Sequence, residues 1–256
     1  MHIFSDFVVK NKKVFPSGCC LLRLEPIDCS ANVDCHPGQF VQVKTECQDV
    51  FLRRPISICN ASADGCLELF IKPLGKGSQW LTERCLGDKL NIISPLGHGF
   101  TLCGKGEKVL LAGGGVGAAP LVFLSRKLSE AGADVSVVLG GRSKADVEQL
   151  PELYKASSVS VSTDDGSMGE KGVITQNSIF NDNFDRIYCC GPTPMMKAVA
   201  RIAKERGIWC EVSLENMMAC GLGACLCCVQ DTDDHGNVCV CTEGPVFNIN
   251  RLQSWL

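Results

Sequence analysis

The sequence predicts a β-barrel, then an α/β domain with a parallel sheet, then a small C-terminal segment rich in cysteine. Three observations predict it. Short apolar runs with period-two alternation recur through residues 1–101, punctuated by Pro37-Gly38, Asp64-Gly65 and Pro95-Leu96-Gly97. Over residues 102–213, strand-like runs alternate with helical patterns, and each run ends in a turn of small residues. Residues 214–256 then gather six Cys between positions 220 and 241.

In the first region the strand candidates are Phe7-Val8-Val9, the run from Cys19 to Leu24, and Phe40-Val41-Gln42-Val43. Ile56-Ser57-Ile58, the run from Cys66 to Ile71, and Lys89-Leu90-Asn91-Ile92-Ile93 follow. Six strands at this spacing suit a small antiparallel barrel. One helix is expected to interrupt them over 77–85, with Ser78 as its N-cap. Gly75-Lys76-Gly77-Ser78 opens that helix and offers free N–H groups to a phosphate; a plain glycine turn fits equally. Arg53 and Arg54 stand beside an apolar run. They read either as a planar fork for a pyrophosphate or as a solvated surface pair.

In the second region Lys108-Val109-Leu110-Leu111-Ala112 is a buried strand. It runs into Gly113-Gly114-Gly115-Val116-Gly117-Ala118-Ala119-Pro120 and then an apolar helix. Strand, glycine turn and helix in that order fit a dinucleotide, because glycines let the backbone approach phosphate closely. Pro120 stands where the usual fingerprint has its third Gly, so a tight turn without ligand is the alternative. Further strands end at Gly140-Gly141-Arg142, at Thr163-Asp164-Asp165-Gly166 and at Cys190-Gly191-Pro192. Ligands of such sheets sit off the carboxyl ends of strands. Asp164 and Asp165 there would meet a ribose and repel a 2′-phosphate, favouring NAD; Arg142 argues the other way.

In the last region Cys220, Cys225 and Cys228 are spaced C-x4-C-x2-C, with Cys241 as a distant fourth thiol. That is plant-type [2Fe–2S] ligand spacing. Gly221 and Gly223 would let the loop turn its N–H groups toward sulfur. Cys227 and Cys239 are extra thiols. Zinc is the rival metal, with Cys225 and Cys228 as one knuckle, and unligated thiols are the third reading. The end of the chain, 248–256, has a helical pattern with Leu252, Trp255 and Leu256 for internal packing or a partner. His2, His36, His98 and His235 have no partner at ligand spacing and read as surface or structural.

Composition narrows the function. With 256 residues and a mean hydropathy of +0.11 the chain can core two domains and an appendage. A net charge of -3 gives no reason to expect nucleic acid or an acidic membrane. No apolar run reaches the ~18–20 residues of a membrane span. The N-terminus lacks the basic start and apolar core of a signal peptide. A cytoplasmic protein is expected, with most of its 18 Cys as reduced thiols. The twelve outside 220–241, among them Cys19, Cys29, Cys47, Cys66 and Cys103, read as small buried hydrophobes.

Arg54-Pro55-Ile56-Ser57, the 113–120 turn, Cys190-Gly191-Pro192-Thr193-Pro194-Met195-Met196 and the cysteine run, in this order, resemble the ferredoxin–NADP reductase superfamily. Within it the chain is most similar to electron-transfer subunits of type B dihydroorotate dehydrogenases. Leu52 to Ile58, Thr163 to Gly172, Met218 to Cys225 and Glu243 to Phe247 carry that likeness, which runs over essentially the whole chain.

The resemblance implies a flavin-binding barrel over 1–101, an NAD-binding domain over 102–213 and a [2Fe–2S] segment over 214–256. FAD should contact Arg54, Pro55, Ile56, Ser57, Ile71, Lys72, Pro73, Gly77 and Ser78. NAD should meet Gly113, Gly114, Gly115, Gly117, Asp164, Asp165, Cys190, Gly191 and Pro192. Cys220, Cys225, Cys228 and Cys241 should hold the cluster. The family often has Tyr-Arg where Ile71-Lys72 stands, and usually lacks Cys227 and Cys239. The implied partner is an FMN-containing catalytic subunit, in a heterotetramer of two subunits of each kind. The implied role is electron transfer from that subunit through [2Fe–2S] and FAD to NAD in pyrimidine biosynthesis. This chain shows no acid–base residue for a substrate. Two alternatives are the flavin and iron–sulfur subunit of an NADH-dependent ferredoxin–NADP reductase or sulfhydrogenase, and a non-catalytic redox sensor.

Overall fold

A computed structural model describes residues 3–28, 34–154, 158–252 and 254–256. The alternating runs become strands because alternation gives each one a face for the interior. In β2 (Cys20–Pro26), which follows β1 (Ile3–Val14), Cys20, Leu22 and Leu24 are fully buried while Arg23 points to solvent. β3 (Phe40–Val43), β4 (Arg54–Ala61), β5 (Leu67–Ile71), helix α1 (Lys76–Thr82) and β6 (Lys89–Leu96) follow. The six strands close into an antiparallel barrel in the order β1-β2-β5-β4-β3-β6, as expected.

The helix differs from expectation at both ends. Its N-cap is Gly75, in extended backbone, and Ser78 is the third helical residue. The Ser78 hydroxyl reaches back and accepts from the N–H groups of Leu74 (2.9 Å) and Gly75 (3.0 Å), so the helix starts earlier. It ends at Thr82, because the Asp88 carboxylate draws the Cys85 N–H into a turn at 2.9 Å.

Next come β7 (Lys108–Gly114), α2 (Ala119–Glu130), β8 (Asp134–Gly141), α3 (Lys144–Val147), β9 (Ser158–Thr163) and β10 (Glu170–Lys171). β11 (Arg186–Cys190), α4 (Thr193–Glu205) and β12 (Trp209–Ser213) complete the α/β region. The tail forms a hairpin of β13 (Val229–Thr232) and β14 (Gly236–Cys239), then a short α5 (Val240–Glu243) and β15 (Val246–Asn248). The second sheet runs β10-β9-β8-β7-β11-β12-β15. Its strands are parallel except β15, which pairs antiparallel with β12. The cysteine-rich tail thus supplies an edge strand to the α/β sheet.

The helix expected over 248–256 is not one. Asn248 caps a single 3-10 turn, Ile249–Arg251, by accepting from Asn250 N–H at 2.9 Å. Leu252 is then drawn fully into the core, and Trp255 and Leu256 pack against the same cluster. Packing rather than a partner explains these side chains. Gln253 lies outside the described residues.

One core fuses the parts. Phe40, Ile93 and Leu96 of the barrel share a cluster with Val212 of the sheet and Cys228, Val240 and Cys241 of the tail. Phe123 of α2 inserts into the barrel's own core, and Arg126 beside it donates to the Ala61 carbonyl at 2.7 Å. Of the scattered thiols, Cys19, Cys66 and Cys103 are buried as expected, while Cys47 is only half-buried. Cys29 lies outside the described residues.

Candidate functional site

The first cleft, of about 260 Å³, opens along β4 and β5. Arg54, Pro55, Ile56 and Ser57 line it from β4, with Ile71 from the end of β5 and Lys72 and Ser78 beyond. Pro73 and Gly77 do not line it. Pro73 faces Gly18, and Gly77 sits beneath Arg54. A Cβ on Gly77 would stand 2.6 Å from Arg54 Nε, so a residue without a side chain lets the guanidinium lie against the first turn of α1. The two adjacent arginines have different tasks. Arg53 donates to the carbonyls of Gln42 (3.2 Å) and Asn91 (3.0 Å) and joins β3 to β6. Arg54 donates to Leu52 O at a long 3.4 Å, and its fork faces the cleft. That fork matches paired phosphate oxygens.

The second cleft, of about 570 Å³, lies off the carboxyl ends of β7, β8 and β11. Gly114, Gly115, Gly117, Asp164, Gly191 and Pro192 line it. A Cβ on Gly117 would stand 2.6 Å from Gly191 Cα, so the turns after β7 and β11 touch backbone to backbone. Glycine backbone at such a turn lets a pyrophosphate approach closely. Three expected residues are elsewhere. Gly113 is buried and serves packing, since a Cβ there would meet Ala118 Cβ at 2.7 Å. The Cys190 thiol lies in the core, where burial pushes its pKa far up. Asp165 turns into its own loop. Its carboxylate accepts from Ser167 Oγ (2.6 Å) and N–H (2.9 Å), and these bonds hold it below the usual range.

Lys72, Leu74, Val116 and Glu215 line both clefts, so the two sites share a wall. Lys72 Nζ is held there at 3.3 Å from Asp146 Oδ1. Asp146 also accepts from the Arg142 N–H at 3.3 Å, which fixes the turn after β8. Glu215 keeps accessible surface but lies in the concavity between barrel and sheet, and the surrounding protein raises its carboxyl above the usual range. Sequence reasoning missed Asp146 and Glu215. Asp146 sits on the single turn of α3 and Glu215 in the segment after β12, and only the fold brings them to the clefts.

The cysteine loop aims backbone N–H groups at sulfur. Leu222 and Cys225 N–H donate to Cys220 Sγ (3.3 and 3.4 Å), Gly223 N–H to Cys241 Sγ (3.1 Å), and Cys241 N–H to Cys228 Sγ (3.4 Å). The Leu222 N–H leads in holding the Cys220 thiol down to about 6, whereas burial pushes Cys241 up to about 12. Cys228 and Cys241 are buried and Cys225 is exposed, so the set straddles the surface. Cys227 is exposed, and the Cys239 thiol leans on Gly223 O at 3.7 Å. Among the described residues no three His, Cys, Asp or Glu side chains converge on a point that would hold a single metal ion. The donor chemistry, four thiols of which three accept backbone N–H groups, fits an iron–sulfur centre.

Comparison with known proteins bears on the α/β domain and on the cysteine-rich tail. The family model described as iron–sulfur cluster binding domain of dihydroorotate dehydrogenase B matches residues 215–253. The one described as oxidoreductase NAD-binding domain matches 111–201. The dihydroorotate dehydrogenase B (NAD(+)) electron transfer subunit of Shouchella clausii is 40% identical over 227 residues, 84% of this chain and 86% of that protein. Its counterpart in Desulforamulus reducens is 42% identical over 222 residues, 82% of this chain and 84% of that protein.

The chain belongs to the family of dihydroorotate dehydrogenase B electron transfer subunits.

The NAD-binding model spans the glycine turns after β7 and β11 that line the second cleft, and the iron–sulfur model spans the thiol loop. The solved structure of an NADH-dependent reduced ferredoxin–NADP oxidoreductase has the same fold. Its TM-score is 0.83 at 29% identity, over 96% of this chain and 88% of that one. The family's oxidoreductase activity therefore rests here on a reductase fold with an attached metal-binding tail.

Proposed function

We propose that this chain carries electrons between an FMN-containing, dihydroorotate-oxidising subunit and NAD, as part of pyrimidine biosynthesis. The observation that carries the reading is the shared wall of Lys72, Leu74, Val116 and Glu215 between a flavin-sized and a nucleotide-sized cleft. A bound flavin exchanges an electron pair with a nicotinamide and single electrons with an iron–sulfur centre, which is the chemistry such a junction needs. FAD is the flavin proposed for the first cleft. Arg54 would hold its pyrophosphate, and Ser57 and Ile56 would border its ring system. The Gly114–Gly117 and Gly191 turns would hold the dinucleotide, with Asp164 at the ribose favouring NAD. Cys220, Cys225, Cys228 and Cys241 would bind the [2Fe–2S] centre.

The remaining details concern the assembly. Met217, Leu222 and Leu226 are exposed apolar side chains on and just before the thiol loop, a suitable surface for the catalytic subunit. A heterotetramer of two subunits of each kind is proposed. A cytoplasmic location is proposed too; among the described residues no helix is long and apolar enough to cross a membrane.

The purified chain alone should oxidise NADH with an artificial acceptor and should not oxidise dihydroorotate. Substantial dihydroorotate turnover by the chain alone would refute the reading. A second reading, the small subunit of a ferredoxin–NADP reductase, draws on the fold likeness at 29% identity. The subunit that co-purifies decides between them: an FMN protein of dihydroorotate oxidase activity for the first, a larger flavoprotein for the second. Rapid reduction of the bound flavin by NADH excludes a passive redox sensor.

A further inference from the structure

The thiol loop rests on β3 of the barrel, and one residue of that strand has no partner for its side chain. Gln42 is fully buried, and neither Nε2 nor Oε1 of its amide has a hydrogen-bond partner among the described residues. Its neighbours along the strand, Phe40, Val41 and Val43, are buried and apolar. A Leu or Met at this position would fill the space without the cost of an unsatisfied buried polar group. The amide points at the thiol loop. A Cβ on Gly221 would stand 2.8 Å from Gln42 Cγ and 3.0 Å from Nε2. Gly221 has a φ of +71° and directly follows Cys220. The glycine therefore serves two needs there, a left-handed turn and contact with Gln42.

Cys220 Sγ already collects two backbone N–H groups from its own loop. Among the described residues β3 pairs with β4 and β6 along its ladder, so its backbone is engaged within the barrel. The Gln42 carbonyl is likewise engaged by Arg53.

We propose that Gln42 is a positioning residue for the iron–sulfur centre, its free side-chain N–H placed beside Gly221 to donate from the barrel to a sulfur of the bound centre. The inference rests on the cluster assignment made above. A donor at sulfur stabilises the more negative, reduced form, so Gln42 raises the reduction potential. It also makes the barrel itself, and not only the tail, a determinant of the cluster's properties.

The test uses the anaerobically purified wild-type protein with side-chain 15N-labelled glutamine, together with Gln42→Leu and Gln42→Met. The reduced wild-type cluster should show a hyperfine coupling to a glutamine amide nitrogen, and both variants should lose it. Their one-electron equilibrium constant for cluster reduction should fall about tenfold, a lowering of ~59 mV. Should one variant fail to fold, the other and the wild-type coupling still decide. A wild-type cluster signal without amide coupling, or variants whose potential equals the wild type's, would overturn the proposal. A wild-type protein with no iron–sulfur signal at all would overturn the cluster assignment, and this inference with it.

Discussion

Replacing Gly117 by Ala tests the nucleotide site at its tightest point. A Cβ there would lie 2.6 Å from Gly191 Cα, 2.9 Å from Gly191 N and 3.2 Å from the Cys190 carbonyl carbon. All three are backbone atoms, so no side chain can rotate out of the way. The entry to α2 must move away from the β11 turn, and overpacking of this kind costs about 1–3 kcal/mol. The same displacement separates the two turns that flank the second cleft. If that cost falls on the nucleotide-competent geometry, NADH affinity drops by roughly 5- to 150-fold, at ~1.4 kcal/mol per factor of ten. The assay is the NADH concentration dependence of flavin reduction, with thermal unfolding alongside. Gly104→Ala is the control, since its Cβ would meet nothing closer than a Glu107 side-chain oxygen at 3.5 Å. Wild-type NADH affinity and wild-type Tm in Gly117→Ala would refute the backbone-contact argument.

Other sites give further expected outcomes. Arg54→Ala should weaken FAD retention by roughly 10- to 150-fold, from the ~1.5–3 kcal/mol of hydrogen bonds to a charged group; flavin per chain after gel filtration measures it, and full retention would contradict the role given to the fork. Ser replacements of Cys220, Cys225, Cys228 or Cys241 should abolish the reduced-state paramagnetic signal, whereas Cys227→Ser and Cys239→Ser should keep it. Burial raises the Glu211 carboxyl above its ordinary value, against the opposing hydrogen bonds from Thr101. The folded protein then holds that proton more tightly than the unfolded chain, so this group's contribution to stability falls as pH rises upward from about 4.5. Glu211→Gln should gain Tm over wild type across that window, and a gap that stays flat with pH would exclude the linkage.

Much of the fold was legible because the signals were local. Alternation such as Cys20-Leu21-Leu22-Arg23-Leu24 marks a barrel strand without knowledge of its neighbours, and all six strands form. The Lys108–Gly114 run and its glycine turn likewise mark the nucleotide cleft. What sequence could not give depends on distant contacts. The terminal helical pattern lost to a core position for Leu252. Asp165 left the cleft because Ser167, two residues on, captures its carboxylate, while Asp164 stayed. Cys190 belongs to a motif whose backbone turns at the cleft, but its thiol points into the core. Glu215 and Asp146 had no motif of their own. Gln42 looked like one polar residue in an apolar strand until the tail was seen to fold over it.

The central claim is that the two clefts and the thiol loop form one electron path. Anaerobic addition of NADH to the purified chain tests it most directly, with flavin absorbance and low-temperature paramagnetic resonance recorded on the same samples. The flavin band should bleach and a rhombic iron–sulfur signal should then grow in. A flavin that bleaches while the iron centre, reducible by dithionite, stays silent would break the path at its second link.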